Sequence, residues 1–182
     1  MNTILWITSR AAGSLALLLA SLSVGLGLLM AGKLLKGRTP DLRVLHEALA
    51  LATIAALVVH AGALLLDGFI GMSVAEVTVP FVTGYHRFWT ALGVIGGWAI
   101  VLLGLSFYAR DLIGRNRWKA LHRFTAVGWL MGAGHALGEG TDAGRWWFLA
   151  SMAIVFLPAL ALLAGRRTVR RPSNPQRALR AL

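Results

Sequence analysis

Long stretches without a charged residue dominate this sequence and limit what it can fold into. They cover residues 11–31, 48–66, 88–109, 124–138 and 146–165. A helix needs about 20 apolar residues to cross the ~30 Å hydrocarbon core of a bilayer. The fourth stretch is short, but it reaches spanning length if it begins near Trp118, with Lys119 and Arg123 extending toward the surface. The sequence therefore predicts an all-α, multi-pass membrane protein, a bundle of five transmembrane helices in the lipid bilayer.

The composition excludes the other broad classes of protein. Hydrophobic residues make up 57% of the chain and charged residues 14%, about half the usual charged share. A soluble enzyme, a disordered chain and a disulfide-rich secreted module are excluded by these values. Because the chain has no cysteine, it has no disulfide, thiolate zinc site, iron–sulfur cluster or cysteine nucleophile.

The basic residues predict the orientation in the membrane. The chain has 18 Lys and Arg against 7 Asp and Glu, and all but three of the 18 fall on one side of the predicted bundle. That side holds Lys33, Lys36, Arg38, Arg43, Arg110, Arg115, Arg117, Lys119, Arg123, Arg166, Arg167, Arg170, Arg171, Arg177 and Arg180. Only Arg10, Arg87 and Arg145 lie opposite. The positive-inside rule places the N-terminus outside and the C-terminus in the cytoplasm of a bacterial-type plasma (inner) membrane. Because the positive-inside rule explains this one-sided distribution of basic residues, we expect no nucleic-acid partner.

The ends and the longest connection complete the predicted organisation. Residues 1–165 form the transmembrane domain, and residues 166–182 form a basic, disordered cytoplasmic tail against anionic headgroups. The first apolar stretch exceeds the 7–15 residues of a signal peptide's apolar region, so we expect it to be a helix. In the outer loop, residues 67–87, Ser73 and Glu76 form a capping-box pattern that predicts a short interfacial helix ending at Pro80.

Four of the five histidines lie inside predicted spans. His46 and His60 are 14 residues apart on the second helix, and His122 and His135 are 13 apart on the fourth. An ionisable side chain inside the bilayer is costly and is a functional hypothesis by default. The two helices are parallel, so His46 and His122 share one depth and His60 and His135 share another, roughly 20 Å away. Zinc would want four ligands, whereas haem iron needs only two axial nitrogens on opposite sides. The pattern predicts two stacked bis-histidine haem sites.

The 13-residue spacing requires a distortion. Fourteen residues leave two side chains about 40° apart around an ideal helix, but thirteen leave them about 140° apart. Gly128, Gly132 and Gly134 lie between His122 and His135, and we expect them to permit a tightened turn. Gly128 and Gly132 also form a GxxxG pair typical of close helix packing, and the sequence does not separate these two interpretations.

The histidine pattern resembles the ferric reductase-like transmembrane domain, the family of NADPH oxidases, ferric reductases and the haem-binding membrane subunit of periplasmic methionine sulfoxide reductase. The matching segments, within a resemblance that covers about residues 1–165, are VLHEALALATIAALVVHAGALLLD and WKALHRFTAVGWLMGAGHALGEGTD. The resemblance implies that the four histidines bind the iron of two b-type haems, which makes residues 1–165 a haem-binding domain. This chain, with five predicted helices, departs from the oxidases and reductases. Those proteins have six helices and a flavin and nicotinamide domain. The small electron-relaying subunit is the closer likeness.

The remaining polar residues have weaker interpretations. Haem propionates need cations near the membrane surfaces; candidates are Arg10 and Arg87 outside and Arg43, Lys119 and Arg123 inside. Ordinary anchoring at the interface with Trp6, Trp89 and Trp146 explains these cations equally well. His86 is a solvated interface residue or part of a quinone or acceptor site, and Glu47 faces the headgroups or a proton path.

Three functions follow as hypotheses. The first is a b-type cytochrome that relays electrons across the membrane between separate donor and acceptor proteins, or from a quinol, with a quinone or a flavin as a further candidate cofactor. The second is a stand-alone quinol-linked reductase of ferric iron or oxygen. The third is a non-redox transporter or proton channel that uses its histidines as ion or proton sites. The sequence alone assigns no catalytic residue.

Overall fold

The computed structural model describes residues 3–34 and 39–168, which are about 80% helical and contain no strand. The helices are α1 (Thr3–Ala31), α2 (Thr39–Leu66), α3 (Val74–Thr78), α4 (Arg87–Leu105), α5 (Arg110–Ile113), α6 (Arg115–His122), α7 (Thr125–Glu139) and α8 (Trp146–Thr168). Helix α8 continues three residues past the predicted domain end at residue 165. The rest of the predicted basic tail, like Lys36 and Arg38, lies outside the described residues.

Four of these helices are long and apolar enough to span a membrane. They are α1, α2, α4 and α8, with mean hydropathy between 1.9 and 2.3 over their best 18-residue windows. Their outward faces carry large apolar side chains, among them Val58, Leu102 and Ile154, each more than half exposed. An apolar surface of this kind is expected where a helix meets lipid. The prediction of a helical, multi-pass membrane protein is therefore supported.

The predicted fourth span is not one continuous helix. Helix α6 ends at His122, and α7 begins at Thr125 after a two-residue break. Around the break the backbone makes short i→i+3 hydrogen bonds, from Phe124 N to Leu121 O at 2.9 Å and from Val127 N to Phe124 O at 3.0 Å. The tightened turn that we expected at the glycines thus lies before them, immediately after His122.

Helix pairs organise the bundle. Helix α1 packs along α2, α4 packs along α7, and α1 also contacts α7 and α8. The buried core joins these last three helices and consists of Leu17, Ala20, Trp129, Ala133, Phe148, Met152 and Ala159. Trp129 is 0% exposed and donates its indole N–H to Ser21 Oγ at 2.9 Å. By contrast, α2 and α4 make little contact with each other.

Glycines bring α4 and α7 close together. A Cβ on Gly96 would lie 2.8 Å from the carbonyl oxygen of Gly128, and one on Gly128 would lie 2.9 Å from Ala99 Cβ. Gly128 therefore serves helix packing, as one of the two interpretations held. Gly132 has open space beside it and lines a cavity.

The connection between α2 and α4 folds back against the bundle. Helix α3 has the predicted capping box: Ser73 Oγ accepts from Glu76 N at 3.3 Å, and Glu76 Oε2 accepts from Ser73 N at 2.9 Å. Trp98 Nε1 donates to the carbonyl of Thr78 at 2.8 Å. Since Trp98 lies 11 residues beyond Arg87, this contact is roughly 16 Å along α4 from its first residue.

Candidate functional site: two facing histidine pairs

The structure brings the four predicted histidines together in two pairs. His46 on α2 faces His122 at the end of α6, with ring centroids 6.1 Å apart and an interplanar angle of 86°. His60 on α2 faces His135 on α7, with centroids 6.3 Å apart and an angle of 73°. These are the predicted partners, and we call them the His46–His122 site and the His60–His135 site.

Each histidine ring has its Nδ1 atom beside a backbone carbonyl of a neighbouring helix. The distances are 3.0 Å from His46 to Ser23 O, 2.8 Å from His60 to Ser9 O, 3.0 Å from His135 to Trp89 O and 3.3 Å from His122 to Leu103 O. A carbonyl oxygen only accepts, so we assign the proton to Nδ1, which leaves the lone pair on Nε2. This is the arrangement that fixes a metal-binding histidine in one tautomer and one orientation.

The carbonyls repeat with the spacing of the histidines. Ser9 and Ser23 on α1 are 14 residues apart, and so are Trp89 and Leu103 on α4. His46 and His60 on α2 have the same separation. Because α1 and α2 run antiparallel, Ser9 reaches His60 and Ser23 reaches His46. Each pair of helices therefore presents two histidine seats, each a ring beside a carbonyl of the neighbouring helix, roughly 20 Å apart along its length.

Three of the four rings lie close against a glycine that our sequence analysis missed. A Cβ would lie 2.9 Å from His60 Nδ1 at Gly13, 3.1 Å from His46 Cε1 at Gly27 and 2.7 Å from His135 Nδ1 at Gly93. Each glycine follows its carbonyl by four residues, one helical turn. The signal was present in the first segment as two Ser-x-x-x-Gly patterns 14 residues apart.

A cavity surrounds each histidine pair. The cavity at the His46–His122 site has a volume of about 590 Å³, and the one at the His60–His135 site about 470 Å³. Both lie in the size range of cofactor sites, roughly 300–1,000 Å³. Ala20, Thr53, Ile100 and Trp129 line both cavities, so these four residues form the partition between the two sites.

The structure separates the candidate cations. Arg123 lines the cavity of the His46–His122 site, and Arg10 lines that of the His60–His135 site. Arg10 forms an ion pair with Asp142 and lies 4.1 Å over the ring of Trp6. Arg87 instead donates Nε to the carbonyl of Phe81 at 2.7 Å. Arg43 and Lys119 do not line either of these two cavities among the described residues.

Two acidic residues lie near the sites. Glu139, one turn beyond His135, accepts from Thr90 Oγ1 at 3.0 Å and lies 3.1 Å from His86 Nδ1; it also lines the cavity. Glu47 beside His46 accepts from the Tyr108 hydroxyl at 2.6 Å. That hydrogen bond to a carboxylate raises the pKa of Tyr108 above its usual value. Sequence reasoning gave Glu139 no role.

The donor set fits a cofactor that takes two ligands. No group of three or more His, Cys, Asp or Glu gathers within the described part of the chain, so these residues offer no four-ligand zinc site. Two imidazoles on opposite sides of one metal, with bonds of about 2.0–2.1 Å and ring centres ~1.1 Å behind the nitrogens, have centroids roughly 6.2–6.4 Å apart. The 6.1 and 6.3 Å separations agree with that value. Axial ligation of haem iron needs two such nitrogens.

Comparisons with known proteins identify no relative: no family model, no curated protein and no solved structure matches this chain.

Proposed function

We propose that this chain is a membrane-embedded b-type cytochrome that binds two haems and relays electrons across the membrane. One observation carries the proposal: two histidine pairs have the separation of axial ligands, and all four Nδ1 atoms lie beside backbone carbonyls. A histidine that serves only to satisfy a neighbouring carbonyl has no need of a second imidazole opposite it. We further propose that the chain is related to the ferric reductase-like transmembrane domain.

The chain's own residues would hold and isolate the cofactors. His46 with His122, and His60 with His135, would bind one iron each, and Arg123 and Arg10 would pair with haem propionates. Bound haem iron supplies one-electron oxidation and reduction. Buried Trp129 is part of the partition between the two cavities.

We infer five crossings of the bilayer, with α6 and α7 together as the fourth. Residues 115–139 number 25 across the break, enough for the hydrocarbon thickness. The N-terminus would then lie outside, with the His60–His135 site near the outer surface and the His46–His122 site near the cytoplasm of a bacterial-type plasma membrane. The proposed donor and acceptor are separate proteins or a quinol.

Haem content and ligand substitution test this function. The purified chain should contain two low-spin b haems, extractable because there is no cysteine for covalent attachment. His60→Ala and His135→Ala should each remove one haem, and His46→Ala and His122→Ala should remove the other. His86→Ala is the matched control, since His86 belongs to neither pair, and it should keep both haems.

Three outcomes would change the proposal. A pyridine haemochrome assay that detects no haem would sink it and favour a transporter or proton channel. If His46→Ala and His135→Ala removed the same haem, the pairing itself would be wrong. Turnover of ferric iron or oxygen by the purified chain with a quinol would identify a stand-alone reductase. Expression and helix content must be measured alongside, because loss of a ligand also destabilises a protein that binds it.

A further inference from the structure

One of the four histidine seats differs from the others. At His46, His60 and His135 the Nδ1–carbonyl distance is 2.8–3.0 Å and a glycine lies against the ring. At His122 the distance is 3.3 Å. The residue one turn beyond Leu103 is Phe107, so the glycine is replaced by a bulky side chain.

The carbonyl that faces His122 also accepts from a side chain, whereas the carbonyls at the other three seats lie inside α1 and α4 and accept backbone N–H groups. Ser106 Oγ donates to Leu103 O at 2.7 Å, the same oxygen that faces His122 Nδ1. The Ser106 hydroxyl in turn accepts from Trp118 Nε1 at 3.2 Å. Trp118 also stacks on the His122 ring, with centroids 5.0 Å apart and an interplanar angle of 26°. The Leu103 carbonyl, Ser106, Trp118 and His122 thus form a closed circuit of contacts.

This circuit has two physical effects on His122. The stacked indole fixes the plane of the imidazole, which a glycine and a short hydrogen bond do at the other seats. Because the short hydrogen bond from Ser106 draws on the same Leu103 oxygen, it weakens the longer Nδ1–H bond of His122. A hydrogen bond to Nδ1–H raises the basicity of a histidine ligand, and second-shell bonds of this kind tune a metal's potential.

We propose that Ser106 and Trp118 are positioning residues for His122, which hold its ring by stacking and raise the midpoint potential of the His46–His122 site by sharing the Leu103 carbonyl. The inference rests on the proposed haem function. A less basic histidine donates less charge to ferric iron and so favours the reduced form. The raised potential would assist electron delivery to this site from a donor on its side of the membrane.

Redox titration of the Ser106→Ala variant tests the proposal. Removing the hydroxyl frees the Leu103 carbonyl for His122, so the midpoint potential of the haem at the His46–His122 site should fall. Ser106→Thr keeps a hydroxyl and should restore the value. The His60→Ala background, which retains only this haem, identifies which titration component has moved.

A matched control exists on α8. Ser151 Oγ donates to the carbonyl of Phe148, three residues earlier, at 2.9 Å, which is the same local bond without a histidine on the carbonyl. Ser151→Ala should leave the potential of the His46–His122 site unchanged. Trp118→Phe keeps a stacked ring and should retain a narrow low-spin electron paramagnetic resonance signal, whereas Trp118→Ala should broaden or shift that signal.

The possible results separate this inference from the proposed function. Wild-type protein without haem would end the proposed function and this inference with it. Two haems in the wild type, with no shift in Ser106→Ala beyond that of Ser151→Ala, would overturn the inference alone. Selective loss of this haem in Ser106→Ala would also overturn it, because the freed Leu103 carbonyl should hold His122 more tightly. Loss of both haems would overturn it, because Ser106 would then support the whole bundle.

Discussion

At the scale of single residues, the unit of this site is a histidine together with a carbonyl and a glycine on the next helix. Gly13, Gly27 and Gly93 each leave room for a ring that a methyl group would displace. The carbonyl fixes the tautomer while the glycine fixes how closely the ring approaches. The geometry of the histidine pairs thus depends on residues that carry no chemistry of their own.

Replacing Gly93 with alanine should therefore damage the His60–His135 site. The new methyl would lie 2.7 Å from His135 Nδ1, so the ring must rotate away from its carbonyl and from His60. Disturbing the support of a metal ligand typically costs about 10–100-fold in affinity, and we expect haem binding at this site to weaken by that order. Haem titration monitored by absorbance measures the loss.

Gly62→Ala on α2 is the control for this substitution. A Cβ at Gly62 meets nothing within 4 Å, and Gly62 lines neither of the two cavities, so haem affinity should stay at the wild-type value. Equal weakening in both variants would contradict the role of Gly93, because it would point to a general effect of replacing a helical glycine with alanine.

The four histidines were predictable from the sequence, but their seats were not. An ionisable residue stands out in an apolar segment, and spacing along two parallel helices predicts its partner. The acceptors are backbone carbonyls, which every residue carries, so Trp89 and Leu103 have no mark in the sequence. Ser9 and Ser23 did have one, in their shared spacing with His46 and His60, but it becomes meaningful only once α1 is known to pack on α2.

At the scale of elements, the break between α6 and α7 explains how a 13-residue spacing can work. A 3₁₀ turn advances about 120° per residue against about 100° in an α-helix. About four residues with i→i+3 bonds add roughly 80° and reduce the ~140° mismatch to roughly 60°. Hydropathy predicted the segment and periodicity predicted a distortion. Neither located it, because Arg123 and Phe124 are ordinary helix residues and the flexible glycines lie further along.

Helix α3 gives a pH-dependent prediction. Hydrogen bonds from the backbone N–H and then the hydroxyl of Ser73 lower the pKa of Glu76 below its ordinary value of 4.5. A depressed carboxyl pKa means that its stabilisation of α3 is complete above pH 4.5 and is lost as the pH falls through the lower, folded value. A spin label on Val74→Cys, in a chain with no other cysteine, should become more mobile over that range.

Glu76→Gln separates local from global effects of acid. Glutamine still reaches the backbone N–H of the N-cap but does not titrate. The label should therefore keep the same mobility at all pH values in this variant. An increase in mobility equal to that with Glu76 would show that acid unfolds the bundle and that the capping box is not responsible.

At the scale of the whole molecule, two similar hairpins face each other. In each, the first helix presents two carbonyls 14 residues apart, and the following helix or helix pair presents two histidines. Every site takes one histidine from each hairpin. This arrangement requires α2 and α7 to run in the same direction. The connection of residues 67–86 and helix α5 then lie at opposite ends of the bundle.

Single cysteines test that arrangement in the membrane. Phe69 and Leu112 are 70% and 93% exposed and lie at opposite ends of the bundle. Phe69→Cys should react with a membrane-impermeant maleimide on intact cells, and Leu112→Cys only after permeabilisation. The cysteine-free parent supplies the background. The reverse labelling would invert both sites in the membrane, and external labelling of both would contradict a crossing by α4.

The helices pack more closely on the side of α1, α7 and α8 than on the side of α2 and α4. The buried core joins α1, α7 and α8, whereas α2 and α4 make little contact, and Trp98 on α4 donates to the Thr78 carbonyl of α3. In the proposed cytochrome, a haem would enter from the lipid between α2 and α4, where the helices make little contact. We expect this insertion to come before the connection of residues 67–86 settles on Trp98. Packing of the connection of residues 67–86 against Trp98 would then be the last step of haem assembly.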